Sequence, residues 1–332
     1  MKRLIAVSAL LIFFGGCKST SPASTPVSAR ISDFNADSAY TFVARQVAFG
    51  PRIAGSRAHK ECASYLENVL AKYAHKVILQ EFSARRWDGI AMQGVNIIAS
   101  FNPSAAQRVL LCAHWDSRPY ADNDPSEKNY HTPIDGANDG ASGVGVLLEI
   151  ARVLATCSTQ TGIDIVLFDL EDCGRPRFEI SRYGDEKTWC LGSQYWAANP
   201  HTQGYRASYG ILLDMVGVKN PRFKQEGTSA YYAPDVLDNV WRTASALGYG
   251  SAFVYEKSTP LIDDHLFINR ITGIPTIDII SLDDNADNGS GSGGGGNNSG
   301  FFKHWHTTQD NMSNIDKTSL KITGDVVLNV IL

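Results

Sequence analysis

Short apolar runs alternate along the chain with longer stretches in which apolar residues recur every three to four positions. Runs of strand length lie at Val95–Ser100, Val109–Ala113, Ile163–Phe168, Tyr209–Asp214, Ala252–Tyr255 and Thr276–Ile280. Several are rich in Val, Ile and Leu on both faces, the pattern of strands covered on both sides. Helical spacing recurs over Ser38–Ala48, His59–Tyr73, Gly143–Ala155, Pro234–Leu247 and Lys317–Leu332. No internal repeat is present, so this alternation predicts an α/β sandwich, one sheet flanked by helices. Two polar stretches interrupt it, Tyr120–Ala137 and Asp283–Gly300, and both are predicted to be mobile surface loops. The second is read either as a connector or as a lid, since it leads directly to Trp305-His306.

The amino terminus departs from this pattern. Met1-Lys2-Arg3 is basic, and the apolar run Leu4–Phe14 is too short for a permanent membrane span, so residues 1–16 read as a signal peptide. Gly15-Gly16 before Cys17 resembles a bacterial lipobox, which predicts lipidation at Cys17 and a periplasmic, membrane-anchored protein; an ordinary cleavage site near Cys17 is the alternative. Residues 17–30, rich in Ser, Thr, Pro and Ala, read as a flexible tether, and residues 31–332 as the catalytic body.

With 43% hydrophobic residues the chain can bury a sizeable core. A net charge of −4 supplies no basic stripe for phosphates, which argues against a dedicated nucleic-acid binder. Beyond Cys17, Cys62, Cys112, Cys157, Cys173 and Cys190 include no C-x-x-C pair, which argues against a structural Cys-zinc site. An oxidising compartment permits a disulfide, and Cys173 with Cys190 is the candidate pair.

The chemistry lies in where acids and histidines fall. In open α/β sheets ligands bind at the carboxyl ends of strands. Here Val109–Ala113 runs into His114-Trp115-Asp116, and a loop leads to Asp135-Gly136-Ala137-Asn138-Asp139-Gly140. Ile165–Phe168 leads into Asp169-Leu170-Glu171-Asp172, Ile211–Leu213 ends on Asp214, and the tail supplies His304-Trp305-His306. A lone Asp at a strand end is ordinarily a cap or turn former, and adjacent acids are ordinarily solvated. Five such sites on one sheet edge point instead to a metal centre, because one divalent ion compensates several buried carboxylates at once. Imidazole and carboxylate without thiolate suit Zn²⁺, and three protein ligands leave a position open for catalysis.

These residues, together with Phe49-Gly50-Pro51-Arg52, Gly55-Ser56, Asp263-Asp264-His265 and Trp305-His306-Thr307, resemble the M28 zinc-dependent exopeptidases. Within that family they resemble the animal-type (type II) glutaminyl cyclases, over nearly the whole mature chain. The resemblance implies a single-domain three-layer α/β/α sandwich with a central mixed sheet. It implies that Asp139, Asp172 and His306 ligate one zinc, with Glu171 as acid/base. Asp214 and Asp264 would join Glu171 in a catalytic carboxyl cluster, and Trp305 would line the substrate pocket. By the same resemblance His114 would be a supporting or second-metal residue, since His114 and Asp214 would complete the second zinc site that family aminopeptidases use; both ligand types are present, so the metal count stays open.

Asp172 stands where the animal enzymes have glutamate, a shorter arm that shifts the geometry without changing the ligand chemistry. Trp189 and Trp196 are candidates for a further pocket tryptophan, and Trp115 is read equally as core. The implied activity is conversion of N-terminal glutamine of exported peptides or proteins to pyroglutamate with loss of ammonia. The alternatives are an M28-type zinc aminopeptidase and a surface binding lipoprotein that has lost the chemistry.

Overall fold

The computed structural model describes residues 33–157, 159–179, 186–282 and 300–332. The signal peptide, Cys17, the tether up to residue 30 and most of the Asp283–Gly300 stretch lie outside the described residues.

A six-stranded sheet carries β1 (Lys76–Arg85), β2 (Ala91–Phe101), β3 (Arg108–His114), β4 (Gly162–Phe168), β5 (Tyr209–Asp214) and, at its far edge, β8 (Thr276–Ile280). Its order is β1-β2-β4-β3-β5-β8. β3, β4, β5 and β8 run parallel, while β2 is antiparallel to both β1 and β4, so the sheet is mixed as expected. β5 and β8 coincide with the predicted runs end to end.

Side chains alternate between two faces with period two. Val109, Leu111, Ile163, Ile165, Ile211 and Ile277 pack into the larger core with helices α1 (Ala36–Val47), α3 (Ala141–Leu154), α6 (Pro234–Ala246) and α8 (Lys317–Ile331). Leu110, Cys112, Val166 and Leu212 pack on the other face, where α4 (Leu191–Ala198) and α7 (Asp264–Thr272) contribute Trp196 and Ile268. Each fully buried aliphatic side chain contributes about 1.5–3 kcal/mol, so both faces are held strongly. Gly143, in the first turn of α3, lets that helix approach β5: a Cβ there would lie 2.2 Å from the Leu213 carbonyl oxygen.

Three expectations need correction. Ala252–Tyr255 is not in the main sheet; β7 (Phe253–Lys257) pairs with β6 (Phe223–Gln225) in a separate two-stranded sheet joined by the single bridge Phe223–Ser281. Tyr120–Ala137 has no strand and one short 3-10 turn, and it is a surface loop only in its middle: Pro125, Glu127, Lys128 and His131–Pro133 are exposed, while Ala121, Asp122, Asp124, Ile134 and Ala137 at its two ends are buried. The buried acids form internal bonds, Asp122 with Arg118 and Asp124 with Thr308, which the composition alone does not distinguish from solvation. Cys173 and Cys190 are free thiols, as are all five described cysteines. The Cys173 thiol donates to the Leu170 carbonyl and the Cys190 thiol to the Glu171 carboxyl, so the two face different partners.

Candidate active site

The ends of three adjacent parallel strands converge. His114 closes β3, Asp169–Asp172 follows β4, and Asp214 closes β5. Buried polar groups hold the turns between them. Asp116 accepts the backbone N–H groups of Glu171 and Asp172 at 3.1 and 3.2 Å, which fixes the acid pair. Asp310 does the same for Asn138 and Asp139 at 2.9 and 3.1 Å. Arg52, from the Phe-Gly-Pro-Arg stretch, is fully buried and donates to the carbonyls of Trp115, Asp135 and Gly136, stapling the loop ahead of Asp139. Leu170, Cys190, Met215 and His306 all take left-handed backbone angles, φ between 46° and 59°. Such strain costs about 1–3 kcal/mol per residue and persists where surrounding structure enforces it, as at catalytic sites.

Two triads result, and they share Asp139. In one, His306 Nε2 lies 3.1 Å from Asp172 Oδ1 and 3.6 Å from Asp139 Oδ2. In the other, His114 Nε2 lies 3.0 Å from Asp139 Oδ1 and 3.3 Å from Asp214 Oδ1. In each triad the donor atoms are close enough together to grip one ion. Asp172 Oδ2, His114 Nε2 and Asp214 Oδ1 are buried without a hydrogen bond, an arrangement costly in itself and relieved by a cation. Nitrogen and oxygen donors without thiolate in either triad fit zinc. Burial opposes charge on His114, but Asp116, Asp139 and Asp214 around it outweigh that and hold its pKa well above the ordinary value. Burial likewise pushes Asp214 up to about 7, against the pull of His114.

Glu171 borders a cavity of about 110 Å³ that also opens onto Asp139, Asp172, Asp214, Asp263 and His306. Burial raises the Glu171 pKa well above the carboxylate range; Asp172, Asp263 and Asp264 add to this and His114 opposes it. A carboxyl in that condition holds a proton more readily than a free one, which suits it to act as acid as well as base. Its Oε1 accepts the Cys190 thiol at 3.0 Å, and the Cys190 N–H donates to its main-chain carbonyl at 2.9 Å.

The walls of the cavity are apolar and aromatic: Trp189, Leu261, Ile262, Phe301 and Trp305. Trp305 stacks on His306 with ring centroids 3.7 Å apart, and Phe301 packs on Trp305 at 4.4 Å. Trp189 lies parallel to His306 at 6.1 Å. A single side chain reaching in would meet Glu171 and the triad carboxylates between these apolar walls.

Asp139, Glu171, Asp172, Asp214, His306 and Trp305 are thus brought together, with His114 beside them. Asp264 is the exception. It is fully buried, beside Ser193, and does not border the cavity. Its neighbour Asp263 borders it instead, with a carboxyl oxygen close to Glu171 and Cys190. Asp263 caps α7 and Asp264 is the first helical residue, so the two side chains leave the backbone in different directions. Trp196 is core, packed against Phe168 and Tyr205. Trp115 is core too, stacked on His59 at 4.5 Å with its indole N–H on the Val95 carbonyl. Arg118 and Asp122, a buried ion pair next to His306, had no signal beyond being charged residues in a presumed loop.

Residues 96–331 match the model of peptidase family M28. A glutaminyl cyclase from Bacteroides thetaiotaomicron, solved with N-acetylhistamine bound, is 48% identical with a TM-score of 0.85, over 91% of this chain and 99% of that one. A protein from the same organism described as a leucine aminopeptidase precursor is also 48% identical, with a TM-score of 0.84 over 92% of this chain and 99% of that one. The glutaminyl-peptide cyclotransferase of Bothrops jararaca is 27% identical over 255 residues, 68% of this chain; the chain spans 61% of that relative's length. The family match runs from β2 into α8 and takes in every strand end that supplies an acid or histidine to the two triads. The chain therefore belongs to peptidase family M28, in the group that includes the solved bacterial glutaminyl cyclases.

Proposed function

We propose that the chain is a zinc-dependent glutaminyl-peptide cyclotransferase acting on peptides or proteins with N-terminal glutamine. The observation that carries this reading is Glu171 at the edge of a small aromatic-walled cavity, next to the Asp139–Asp172–His306 triad. A single side chain bounded by aromatic walls suits such a cavity. The similarity to glutaminyl cyclases at nearly half identity supports the same reading.

In the reaction the α-amine of the substrate attacks its own side-chain amide carbon. A carbon–nitrogen bond forms, the bond to the amide nitrogen breaks, and ammonia leaves a five-membered lactam. A zinc ion held by Asp139, Asp172 and His306 would supply the Lewis acid that polarises the amide carbonyl. Glu171 takes a proton from the attacking amine at a carboxylate oxygen and delivers it to the departing nitrogen. Asp172, Asp263 and Asp264 surround Glu171 with like charge, which favours keeping a proton within the cluster, and Asp214 borders the same cavity. Trp305, Trp189 and Phe301 hold the glutamine side chain folded toward its amine and exclude water, lowering the entropic cost of closing the ring. His114 supports Asp139 from the inner side.

The basic, apolar and Gly-Gly-Cys segments of residues 1–17 support export and a lipid anchor on Cys17, with the enzyme on the periplasmic side of a bacterial membrane.

Incubation with a glutamine-initiated peptide tests the activity. Loss of one ammonia without shortening is expected. Release of a free amino acid would make the chain an aminopeptidase, and an unchanged peptide would leave only a binding role.

A further inference from the structure

Arg118 takes no part in the chemistry above, yet it is fully buried beside the centre. Its guanidinium is used on three sides. Nε and Nη2 donate to the two oxygens of Asp122, each at 2.8 Å. Nη1 donates to the main-chain carbonyl of Asp172 at 2.9 Å and to Asp172 Oδ1 at 3.4 Å. Its face lies 4.6 Å over the ring of Trp189. Asp122 in turn stands 3.4 Å from His306 Nδ1, on the side of the imidazole away from Asp139 and Asp172.

The contacts to Asp122 and Asp172 bear on proposed ligands. An imidazole whose Nδ1–H points at a carboxylate presents a lone pair on Nε2, and such a partner sets both tautomer and ring orientation. An aspartate ligand has one methylene between backbone and carboxyl, so its oxygens go where its main chain puts them. At residue 172 the main chain is held from both sides, its N–H by Asp116 at 3.2 Å and its carbonyl by Arg118. With Oδ1 engaged by Arg118 and facing His306, Oδ2 is the buried oxygen left without a partner.

We propose that Arg118 is a positioning residue of the metal centre, aiming His306 through Asp122 and Asp172 directly, and fixing the Trp189 wall with its face. This rests on Asp139, Asp172 and His306 being the zinc ligands. A planar fork is required, because lysine offers a point charge that cannot hold both Asp122 oxygens and the Asp172 carbonyl at once.

The test measures zinc affinity of the full chain by competition with a chromophoric chelator, and the visible spectrum of the cobalt(II)-loaded protein. Wild type, Arg118→Lys and Asp122→Asn are compared, with unfolding of the metal-free forms as a control. Both variants should bind zinc about 10- to 100-fold more weakly and show an altered cobalt spectrum, since losses of this size follow removal of groups that orient ligands. Asp122→Asn preserves side-chain shape and carries the test if Arg118→Lys does not fold. Affinities within about threefold of wild type and superimposable cobalt spectra would overturn the positioning role, leaving Arg118 a stabilising ion pair. A wild-type chain that binds neither metal would instead overturn the ligand assignment itself.

Discussion

Replacing Glu171 by glutamine removes a proton acceptor from the cavity while leaving its shape nearly unchanged. The residue is anchored by its backbone, with its N–H on Asp116 at 3.1 Å and its carbonyl on the Cys190 N–H at 2.9 Å. A glutamine Oε1 still accepts the Cys190 thiol that Glu171 Oε1 accepts at 3.0 Å. None of the Asp139–Asp172–His306 donors is altered, so the metal should stay. What is lost is proton transfer at both ends of the reaction, from the amine and to the leaving nitrogen. A positioned acid/base contributes about 10²–10⁴ in rate. At roughly 1.36 kcal/mol per tenfold, this raises the barrier by about 3–5 kcal/mol. Ammonia release from a glutamine-initiated peptide gives kcat/KM, and elemental analysis gives zinc per chain. The expected result is a loss in kcat of at least about a hundredfold with zinc retained. Turnover within about tenfold of wild type would refute the role given to Glu171, because another group would then be carrying the proton. Loss of zinc would refute it differently, by making Glu171 a ligand.

Chelation should abolish activity and zinc should restore it at one ion per chain; a second equivalent needed for full activity would make the His114–Asp139–Asp214 triad a working site. Although burial raises the Glu226 carboxyl, His265 and the backbone N–H groups of Thr228 and Ser229 outweigh it and hold its pKa at about 2 against 4.5 ordinarily. Its contribution to stability is therefore complete above pH 4.5 and lost as the pH falls toward 2. The shift corresponds to roughly 3 kcal/mol. Urea unfolding of wild type and Glu226→Gln should show a gap that narrows over that range; a gap independent of pH would contradict the linkage. Denatured, unreduced protein should alkylate at both Cys173 and Cys190, and a mass consistent with a bond between them would contradict the thiol assignment.

The legible elements were those buried on both faces. β5 and β8 were read end to end because unbroken runs of branched apolar residues have few other uses. β1 was missed because it lies at the sheet edge and shows only Phe82 as a buried residue. α4 is only eight residues long, enters from a left-handed Cys190 without a side-chain cap, and offered no periodic signal. α7 carried its own signals, an Asp263 cap and a left-handed Gly273 stop. They are short and polar, and the acids of Asp263-Asp264-His265 serve equally as a helix start and as site residues, so the sequence alone does not separate the two uses.

The order of residues along the chain was enough to determine the α/β class and the strand ends that carry acids and histidines, since each follows an apolar run; the roles expected of Asp139, Glu171, Asp172, Asp214 and His306 came from the resemblance to M28 enzymes. Which neighbour of a pair faces the cavity was decided only in three dimensions: Asp263 rather than Asp264, Trp189 rather than Trp196. So was the service of Arg118 and Asp122, charged residues of a loop that folds inward. The physical reason is that apolar periodicity records burial along one element. The direction of a side chain, and the partner that neutralises a buried charge, depend on segments far away in sequence: the Asp122 carboxylate is 184 positions from the His306 it faces.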